Sequence, residues 1–248
     1  MTPLILRTKY AFHALLWMLD PDMVLDVGSM DGSDSKKFKK LTRKAEVVAF
    51  EANPDNYRAM CADNDLQQLG VRVVQRLVSN LAGNRSFFVQ RPVHPSTGSN
   101  RGTSSAMRSS ARDMETEEVH LDAVRIDYFL TQEYPGIASA ALWIDVEGHA
   151  YEVLEGIRDV QDRVQLIHVE VETKEIWPGQ KVESDILALA NSMGFILAAR
   201  GAHEVQRDLI LIRESWYNAN RSKIFALLQL SKWAGPLLSR MLIASRQR

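Results

Sequence analysis

With 248 residues, 46% of them hydrophobic, the chain is long enough to bury the core of one α/β domain. Its 30 basic and 31 acidic residues give a net charge of −1, so no general basic excess exists to bind nucleic acid, and a DNA or RNA substrate is disfavoured. The single cysteine, Cys61, excludes an internal disulfide and fits the reducing conditions of the cytoplasm. No apolar run reaches the roughly 18 residues that a membrane-spanning helix needs.

Residues 1–20 precede the first strand and form a segment of their own. The apolar run over residues 10–19 follows Arg7 and Lys9, a pattern that mimics a secretory signal peptide, but no small-residue cleavage site comes after it. We therefore expect an N-terminal helix that covers one face or one edge of a sheet.

The rest of the chain is organised around a first strand, Met23–Val27, and the turn that follows it. Asp26 lies near the end of this strand, Gly28 and Gly32 belong to the turn, and a helix is predicted over residues 36–41. Glycine lets a ligand approach the backbone closely, and the start of a helix offers unpaired N–H groups. This combination is typical of a nucleotide-type binding site.

A second buried strand is predicted over residues 47–50, and Glu51 follows it directly. An acidic residue at this position can accept hydrogen bonds from both hydroxyl groups of a ribose. The glycine turn and this acid together predict a ligand that contains adenosine.

The remaining pattern alternates strands with helices, which favours an open α/β sheet closed by a terminal hairpin. Near-continuous apolar runs over residues 138–146 and 164–171 are typical of parallel strands buried on both faces. The other predicted strands cover residues 71–78, 85–90, 195–199 and 209–212, and the other helices cover residues 150–157 and 184–193, the latter ended by Gly194.

Residues 91–116 are rich in Ser, Thr, Pro and Gly and show no apolar periodicity. Long loops of this kind are either surface insertions or functional lids. As a lid, the segment would carry Arg101, Arg108 and Arg112 toward an anionic group of the substrate. Both interpretations stay open at this point.

The C-terminal tail, residues 215–248, contains six basic residues and no acidic one. Its apolar residues and Trp233 predict an amphipathic helical pair, which Pro236 interrupts. Such a tail either lies on an anionic membrane surface or docks against the domain or a partner subunit, and docking is the more common use.

Three motifs together resemble the FkbM family of S-adenosylmethionine-dependent methyltransferases. They are Asp26-Val27-Gly28 with Gly32, Phe50-Glu51-Ala52-Asn53-Pro54, and Ile144-Asp145-Val146-Glu147-Gly148 followed by Val153-Leu154-Glu155-Gly156. Residues 124–130 also look like the family's short helix between its third and fourth strands, and the likeness spans roughly residues 21–214.

The resemblance implies a Rossmann-like fold with a seven-stranded, mostly parallel sheet whose last strand is antiparallel. It also implies S-adenosylmethionine as cofactor and a small-molecule, glycan or glycolipid acceptor that is O-methylated on a hydroxyl of a sugar or secondary metabolite. A homo-oligomer and peripheral membrane contact through the tail are left open.

The resemblance gives each part of the cofactor a candidate partner. Backbone at Gly28, Ser29 and Gly32 would approach the methionine portion, and Asp26 would bind its ammonium group. Glu51 would hold the ribose, Ala52 would lie against adenine, and Ser79 or Asn80 would reach the adenine edge. Each residue also has a structural alternative, since a glycine or a serine often only makes a turn. Ser29-Met30 departs from the Ala-Asn that is usual in the family.

Asp145 ends the fourth predicted strand, where it would contact the cofactor, act as general base or hold a divalent cation. His149 is the better base on chemical grounds because its unperturbed pKa is nearest neutrality, although it could equally be a capping or surface histidine. Glu170 lies near the end of the next strand and would bind an acceptor hydroxyl. Trp177 would either stack on the acceptor or cap the core. No spacing signature supports a metal site.

Two other functions fit parts of the pattern. A nicotinamide-dependent oxidoreductase shares the strand, glycine and acid arrangement, but Met30 stands where its second glycine would fall. A non-catalytic binding subunit with the same fold is the other alternative, against which the intact Asp26, Glu51 and Asp145 argue.

Overall fold

The computed structural model describes residues 3–92, 102, 104–108 and 114–246. Its central sheet has eight strands: β1 Leu4–Ile5, β2 Met23–Val27, β3 Glu46–Phe50, β4 Arg72–Val74, β8 Ala140–Ile144, β9 Val164–Glu172, β10 Phe195–Arg200 and β11 Gln206–Arg213. They lie in the order β1-β10-β11-β9-β8-β2-β3-β4. A second sheet, β5-β7-β6, is formed by β5 Leu77–Val78, β6 Gly83–Pro92 and β7 Met114–Val124.

The predicted fold class, an α/β fold with a mostly parallel sheet, is confirmed. The last strand, β11, is antiparallel to both of its neighbours, as predicted. The predicted number of seven strands is corrected to eight, because Leu4–Ile5 pairs in parallel with β10 at one edge of the sheet. Two residues are too few to show the alternation from which a strand is predicted.

The segment 71–78, predicted as one strand, forms two strands that belong to different sheets. The backbone breaks after Val74, whose carbonyl accepts a hydrogen bond from the N–H of Arg76 at 3.2 Å. A further difference is β7, which was not predicted and pairs antiparallel with β6 along its whole length. Its residues alternate between apolar and charged, and Val119, Leu121 and Ala123 pack in a small cluster with Leu77 and Phe87.

Helices cover both faces of the central sheet, which is why all five residues of β2 are buried. One face packs against α5 Ile126–Glu133, α6 Ala150–Glu155 and α7 Glu183–Ser192. The other packs against α1 Thr8–Leu19, α2 Ser33–Leu41, α3 Pro54–Cys61, α4 Asn64–Gln68 and α8 Glu214–Arg246. A 3₁₀ helix, Arg158–Arg163, leads into β9.

Helix α8 contains residues 215–246 of the predicted C-terminal tail and packs on α1. The helix is bent where Asn220 and Ala234 leave helical backbone angles. Just after the second bend Gly235 is pressed against Tyr10, so closely that a Cβ atom would lie 2.8 Å from the Tyr10 side chain. Further along, the Ser239 hydroxyl lies 2.8 Å from Nδ1 of the buried His13. Within the described residues, no helix is long and apolar enough to cross a membrane.

Candidate functional site

A cavity opens where β2, β3 and β8 end, and we call it the central cavity. Strand ends contribute polar atoms and the small second sheet contributes apolar ones. The lining residues include Gly28, Met30, Glu51, Ala52, Asn56, Arg76, Leu77, Phe87, Asp145, Val146 and His149.

The turn after β2 brings backbone to the wall of this cavity. Gly28 has φ +86°, and a Cβ atom there would lie 1.8 Å from the carbonyl oxygen of Asp145, so no other residue fits without moving β8. Met30 also has a left-handed backbone, with φ 52°, and its N–H points back to Glu51. Gly32, with φ +71°, begins α2 and packs against Leu66 rather than the cavity.

Asp26 and Ser29, two of the predicted cofactor-binding residues, make hydrogen bonds within the fold instead of lining the cavity. The Ser29 hydroxyl donates to the main-chain oxygen of Asp26 at 2.7 Å, and the Ser35 hydroxyl donates to the Asp26 carboxyl group. Asp26 is only 1% exposed, and burial raises its pKa to about 7. Neither Asp26 nor Ser29 lines the central cavity. Their contact with a cofactor stays a prediction, while their contacts with β2 and α2 are structural.

Glu51 is held rigidly at the cavity wall by two backbone donors. The N–H of Met30 donates to Oε2 at 2.6 Å, and the N–H of Asn53 donates to Oε1 at 2.7 Å. The side chain of Asn56 gives this carboxylate a third hydrogen bond, so about one of its four acceptor positions stays open to a ligand. Burial raises the pKa of Glu51 to about 7, despite these three hydrogen bonds. Ala52 lines the cavity beside it, where a flat ring would fit.

His149 lines the central cavity on the side opposite the glycine turn. Its Nε2 lies 3.1 Å from the hydroxyl of Ser79, and burial lowers its pKa to about 4. The chemical reason for preferring it as base, a pKa near neutrality, therefore does not hold in the folded protein. Ser79 and Asn80 are not among the residues that line the cavity, and the Asn80 amide donates to Glu155 at 2.6 Å.

Asp145 and Glu170 form a hydrogen-bonded pair of carboxyl groups at the ends of the neighbouring strands β8 and β9. Asp145 faces the central cavity, from which solvent reaches it. The pKa of each is raised, first because the surrounding protein limits hydration and then, for Glu170, because the Asp145 charge repels its own. The pair therefore holds one shared proton over a wide pH range.

Glu170 also lines a second, more open depression, which we call the side cleft. Its walls are built by Arg7 and the start of α1, by the β10–β11 connection and the start of β11, and by α8. They include Arg7, Thr8, Lys9, Tyr10, Gly201, His203, Gln206, Arg207, Asp208 and Lys232. Since Asp145 lines one space and its partner Glu170 the other, the carboxyl pair lies at the boundary between them. Sequence reasoning found Glu170 by alternation along its strand but missed the rest of the side cleft.

Trp177 is buried beneath the turn that follows Asp145. A Cβ atom on Gly148 would lie 2.7 Å from the Trp177 ring, and the main-chain N–H of Trp177 donates to Gln180 at 3.3 Å. The residue is 8% exposed and lines neither the central cavity nor the side cleft. This placement favours the alternative in which Trp177 caps the core, and its stacking on an acceptor stays a prediction.

Part of the segment 91–116 lies over the central cavity. Gly102, Ser104 and Ala106 line it. The Ser105 hydroxyl donates to the main-chain oxygen of Glu147 at 2.6 Å, which ties this segment to the turn after β8. Arg108 lies 3.4 Å from Glu118. The other two arginines named for a lid, Arg101 and Arg112, lie outside the described residues, and the lid itself stays a prediction.

Metal-binding side chains are not brought together anywhere in the described ranges, where no group of three or more His, Cys, Asp and Glu residues could hold an ion.

Asn56 and Arg76 are cavity residues that sequence reasoning missed. Asn56 stands two positions after Pro54 on α3, the helix that follows the Glu51 motif, and this spacing was the only signal available.

Comparison with known proteins agrees with this geometry. Residues 26–197 match the methyltransferase FkbM domain. The chain is 28% identical over 216 residues to the 2-O-methyltransferase NoeI of Sinorhizobium fredii, a match that covers 83% of this chain and 85% of that protein.

Among solved structures, the chain is similar to precorrin-6y C5,15-methyltransferase from Geobacter metallireducens, with a TM-score of 0.46 and 12% identity over 86% of this chain and 92% of that one. It is also similar to a SAM-dependent methyltransferase from Aquifex aeolicus, with a TM-score of 0.38 and 12% identity over 77% and 81% of the two chains. The assignment rests on the domain match, which covers more than half of the chain and sets the oxidoreductase alternative aside. The chain thus belongs to the methyltransferase FkbM family, as its motifs predicted, and its methyl donor is S-adenosylmethionine.

Proposed function

We propose that the protein transfers a methyl group from S-adenosylmethionine, held in the central cavity, to a hydroxyl oxygen of a sugar or glycan held in the side cleft. The observation that carries this proposal is the carboxyl pair. Asp145 lines the first space and Glu170 the second, so one hydrogen-bonded unit faces both reactants. The NoeI relative, which is named as a 2-O-methyltransferase, supports transfer to oxygen.

The residues of the central cavity fit the methyl donor. Glu51 offers a carboxylate that two backbone N–H groups hold in place to a ribose hydroxyl, and the Cβ-free surface of Gly28 leaves space for the methionine part. Ala52, with Asn56 nearby, suits the adenine ring. When bound, the donor supplies a methyl group already activated by a positively charged sulfur. The protein therefore has to position the acceptor and remove its proton.

The carboxyl pair is suited to accept that proton. A carboxylate with a raised pKa is a stronger base than an ordinary aspartate, and Brønsted behaviour favours a base whose pKa approaches the working pH. Burial raises the pKa of Glu170 to about 10, so Glu170 keeps its proton and donates a hydrogen bond to Asp145. We therefore assign proton removal to the ionised Asp145 and assign its positioning to Glu170. Burial lowers the pKa of His149 to about 4, which weakens it as a base.

The side cleft has the mixed chemistry that a hydroxyl-rich acceptor needs. Glu170 and Asp208 offer acceptors, Arg7 and Lys232 offer donors, and the Tyr10 ring offers an apolar surface. Sugars present both donors and acceptors together with apolar ring faces, so they match this lining better than a purely apolar metabolite does.

The proposal is tested by incubating the protein with methyl-labelled S-adenosylmethionine and a panel of glycosides that differ in their free hydroxyls. Label recovered as an O-methyl group on a sugar, located by mass spectrometry and NMR, is the expected result. Label on nitrogen, on carbon or on protein would contradict the acceptor chemistry. Tight donor binding without transfer to any glycoside or to an extract of source cells would favour the non-catalytic alternative.

A further inference from the structure

We propose that helix α8 docks the protein on the surface of an anionic lipid bilayer. The docking surface, which we call the apolar face, consists of Leu230, Trp233, Leu237 and Met241. It is independent of the assignment of donor and acceptor sites, since none of these four residues lines the central cavity or the side cleft.

Leu230 and Trp233 are three residues apart before the bend at Ala234, and Leu237 and Met241 are four residues apart after it, so each pair shares a face of its part of α8. All four side chains are unusually exposed. Leu230 is 52% exposed, Trp233 81%, Leu237 62% and Met241 60%. The residues that pack α8 on the domain lie on the other side and are buried: Ile224, Leu228, Ser231, Gly235, Ser239 and Leu242. Helix α8 therefore packs on the domain through one apolar side and exposes a second apolar side to solvent. A second, exposed apolar side is uncommon for a surface helix.

Charge decides which partner suits this face. Residues 215–246 contain no acidic residue, and Lys223, Lys232 and Arg240 are exposed around the apolar face. The Lys232 ammonium lies 5.6 Å from the ring centre of Trp233, so a cation stands beside the most exposed aromatic side chain. A basic rim around an apolar centre with an interfacial tryptophan is the pattern of helices that lie in the headgroup layer of anionic membranes.

The face is held at a fixed orientation by the domain behind it. Gly235 is pressed against Tyr10, and Ser239 contacts His13, so α8 cannot turn without leaving α1. Lys232 borders the apolar face and also lines the side cleft. A bilayer bound to the face would therefore lie next to the mouth of that cleft.

Vesicle flotation tests the proposal with the full chain. We expect the protein to float with vesicles that contain phosphatidylglycerol and phosphatidylcholine, and to float less as salt is raised. Vesicles of phosphatidylcholine alone should bind it far more weakly. Replacing the centre of the face (Trp233→Ser, Leu237→Ser, Met241→Ser) should abolish flotation.

A second variant, Lys232→Gln with Arg240→Gln, keeps the apolar face and removes two positive charges. It should bind anionic vesicles about 30-fold more weakly, because each basic residue near such a surface contributes about a factor of five. Two control variants carry matched changes at exposed positions elsewhere: Leu81→Ser, Tyr128→Ser and Ile176→Ser in one, and Lys40→Gln with Arg158→Gln in the other. Both controls should float like the unchanged protein.

Failure of the unchanged protein to bind anionic vesicles would overturn the proposal, and so would equal losses in the control variants. Sedimentation velocity separates the remaining alternative, in which the face pairs with a second copy of the chain. A dimer that the triple serine variant converts to monomer, in a protein that ignores vesicles, would assign the face to self-association instead.

Discussion

Gly28 and Asp145 meet backbone to backbone at the edge of the central cavity: a Cβ atom on Gly28 would lie 1.8 Å from the Asp145 carbonyl oxygen. Two turns of chain are thus packed together at the point where we propose that the methyl donor binds. Any side chain at position 28 forces β2 and β8 apart.

Gly28→Ala should therefore unfold more readily than the unchanged protein and should bind S-adenosylmethionine at least tenfold more weakly. Urea unfolding and isothermal titration calorimetry measure the two effects. Gly70→Ala is a matched control, since Gly70 also has a positive φ, +68°, but open space where its Cβ would stand. Its free energy of unfolding should fall only by the cost of a side chain on left-handed backbone, about 1 to 2 kcal/mol. Its affinity for S-adenosylmethionine should not change. Equal donor affinity in the two variants would contradict the close-packing argument.

Glu51→Gln should weaken donor binding by about 10- to 100-fold, because hydrogen bonds to a charged group contribute roughly 1.5–3 kcal/mol. Calorimetry again measures the change. Asp31→Asn removes a charge from an exposed residue in the nearby turn and should leave the affinity within a factor of about three.

The same residue predicts how donor binding depends on pH. Burial raises the pKa of Glu51 to about 7, so the carboxyl is protonated below that pH and ionised above it. Ribose hydroxyls are bound best by the ionised form, and affinity should rise as pH increases toward 7, by up to about tenfold per pH unit. The dependence should be absent in Glu51→Gln. A flat profile in the unchanged protein would show that Glu51 is ionised throughout.

Asp26→Asn tests the buried carboxyl beneath the turn through stability. The pKa of Asp26 is raised to about 7 from 3.8, so the folded state keeps a proton that the unfolded state releases. That stabilising contribution is complete below pH 3.8 and is lost as pH rises toward 7. Between pH 5 and pH 8 the free energy of unfolding of the unchanged protein, measured in urea, should fall by about 2–3 kcal/mol relative to that of Asp26→Asn.

Asp22→Asn is the control for this pH dependence. Hydrogen bonds from Lys44 and Ser139 lower the pKa of Asp22, so its contribution is present above pH 3.8 and is lost only on further acidification. The difference in free energy of unfolding between the unchanged protein and Asp22→Asn should not change between pH 5 and pH 8. A parallel change in both variants would mean that Asp26 does not titrate as its burial requires.

Asp145→Asn should lower kcat by about 10²- to 10⁴-fold while donor affinity changes only a few-fold, because it removes the proton acceptor and not the donor contacts. Glu170→Gln should lower kcat less and shift the pH profile of kcat, since it removes the partner whose hydrogen bond lowers the pKa of Asp145. Glu172→Gln is the control: Glu172 lies on the same strand face and hydrogen-bonds to Gln180. A kcat unchanged in Asp145→Asn at saturating donor would move proton removal to another group, with His149 the next to test.

Sequence alone predicted the elements whose signals are local. The end of β2 at Val27 and the end of β3 at Phe50 were predicted correctly, whereas β8 ends at Ile144, two residues before its predicted end at residue 146. Strand β7 was not predicted, because apolar and charged residues alternate over residues 119–123 and a continuous apolar run gives a stronger signal. The side cleft was not predictable, since its walls come from residues near 7, 203 and 232 of the chain.

The direction in which a side chain points was the second property that the sequence did not predict. Asp26 alternates with Leu25 and shares a face with Val24, and that face lies under α1 and α2 rather than toward the ligand. The position of Asp26 along the strand was therefore correct, but its position said nothing about which side of the sheet the carboxyl occupies. The Trp177 prediction met the same limit, since a loop position does not reveal that the ring is packed beneath Gly148.

The strand order has a consequence for how this protein and its relatives can diversify. The central cavity is built by β2, β3 and β8, whereas the side cleft is built around β9, β10 and β11, the start of α1 and α8. The Asp145–Glu170 contact joins the two spaces beside the β8–β9 pairing. Lineages can therefore inherit one half unchanged and remodel the other, and grafting a foreign β10–β11 connection onto this scaffold is a direct route to a new acceptor preference.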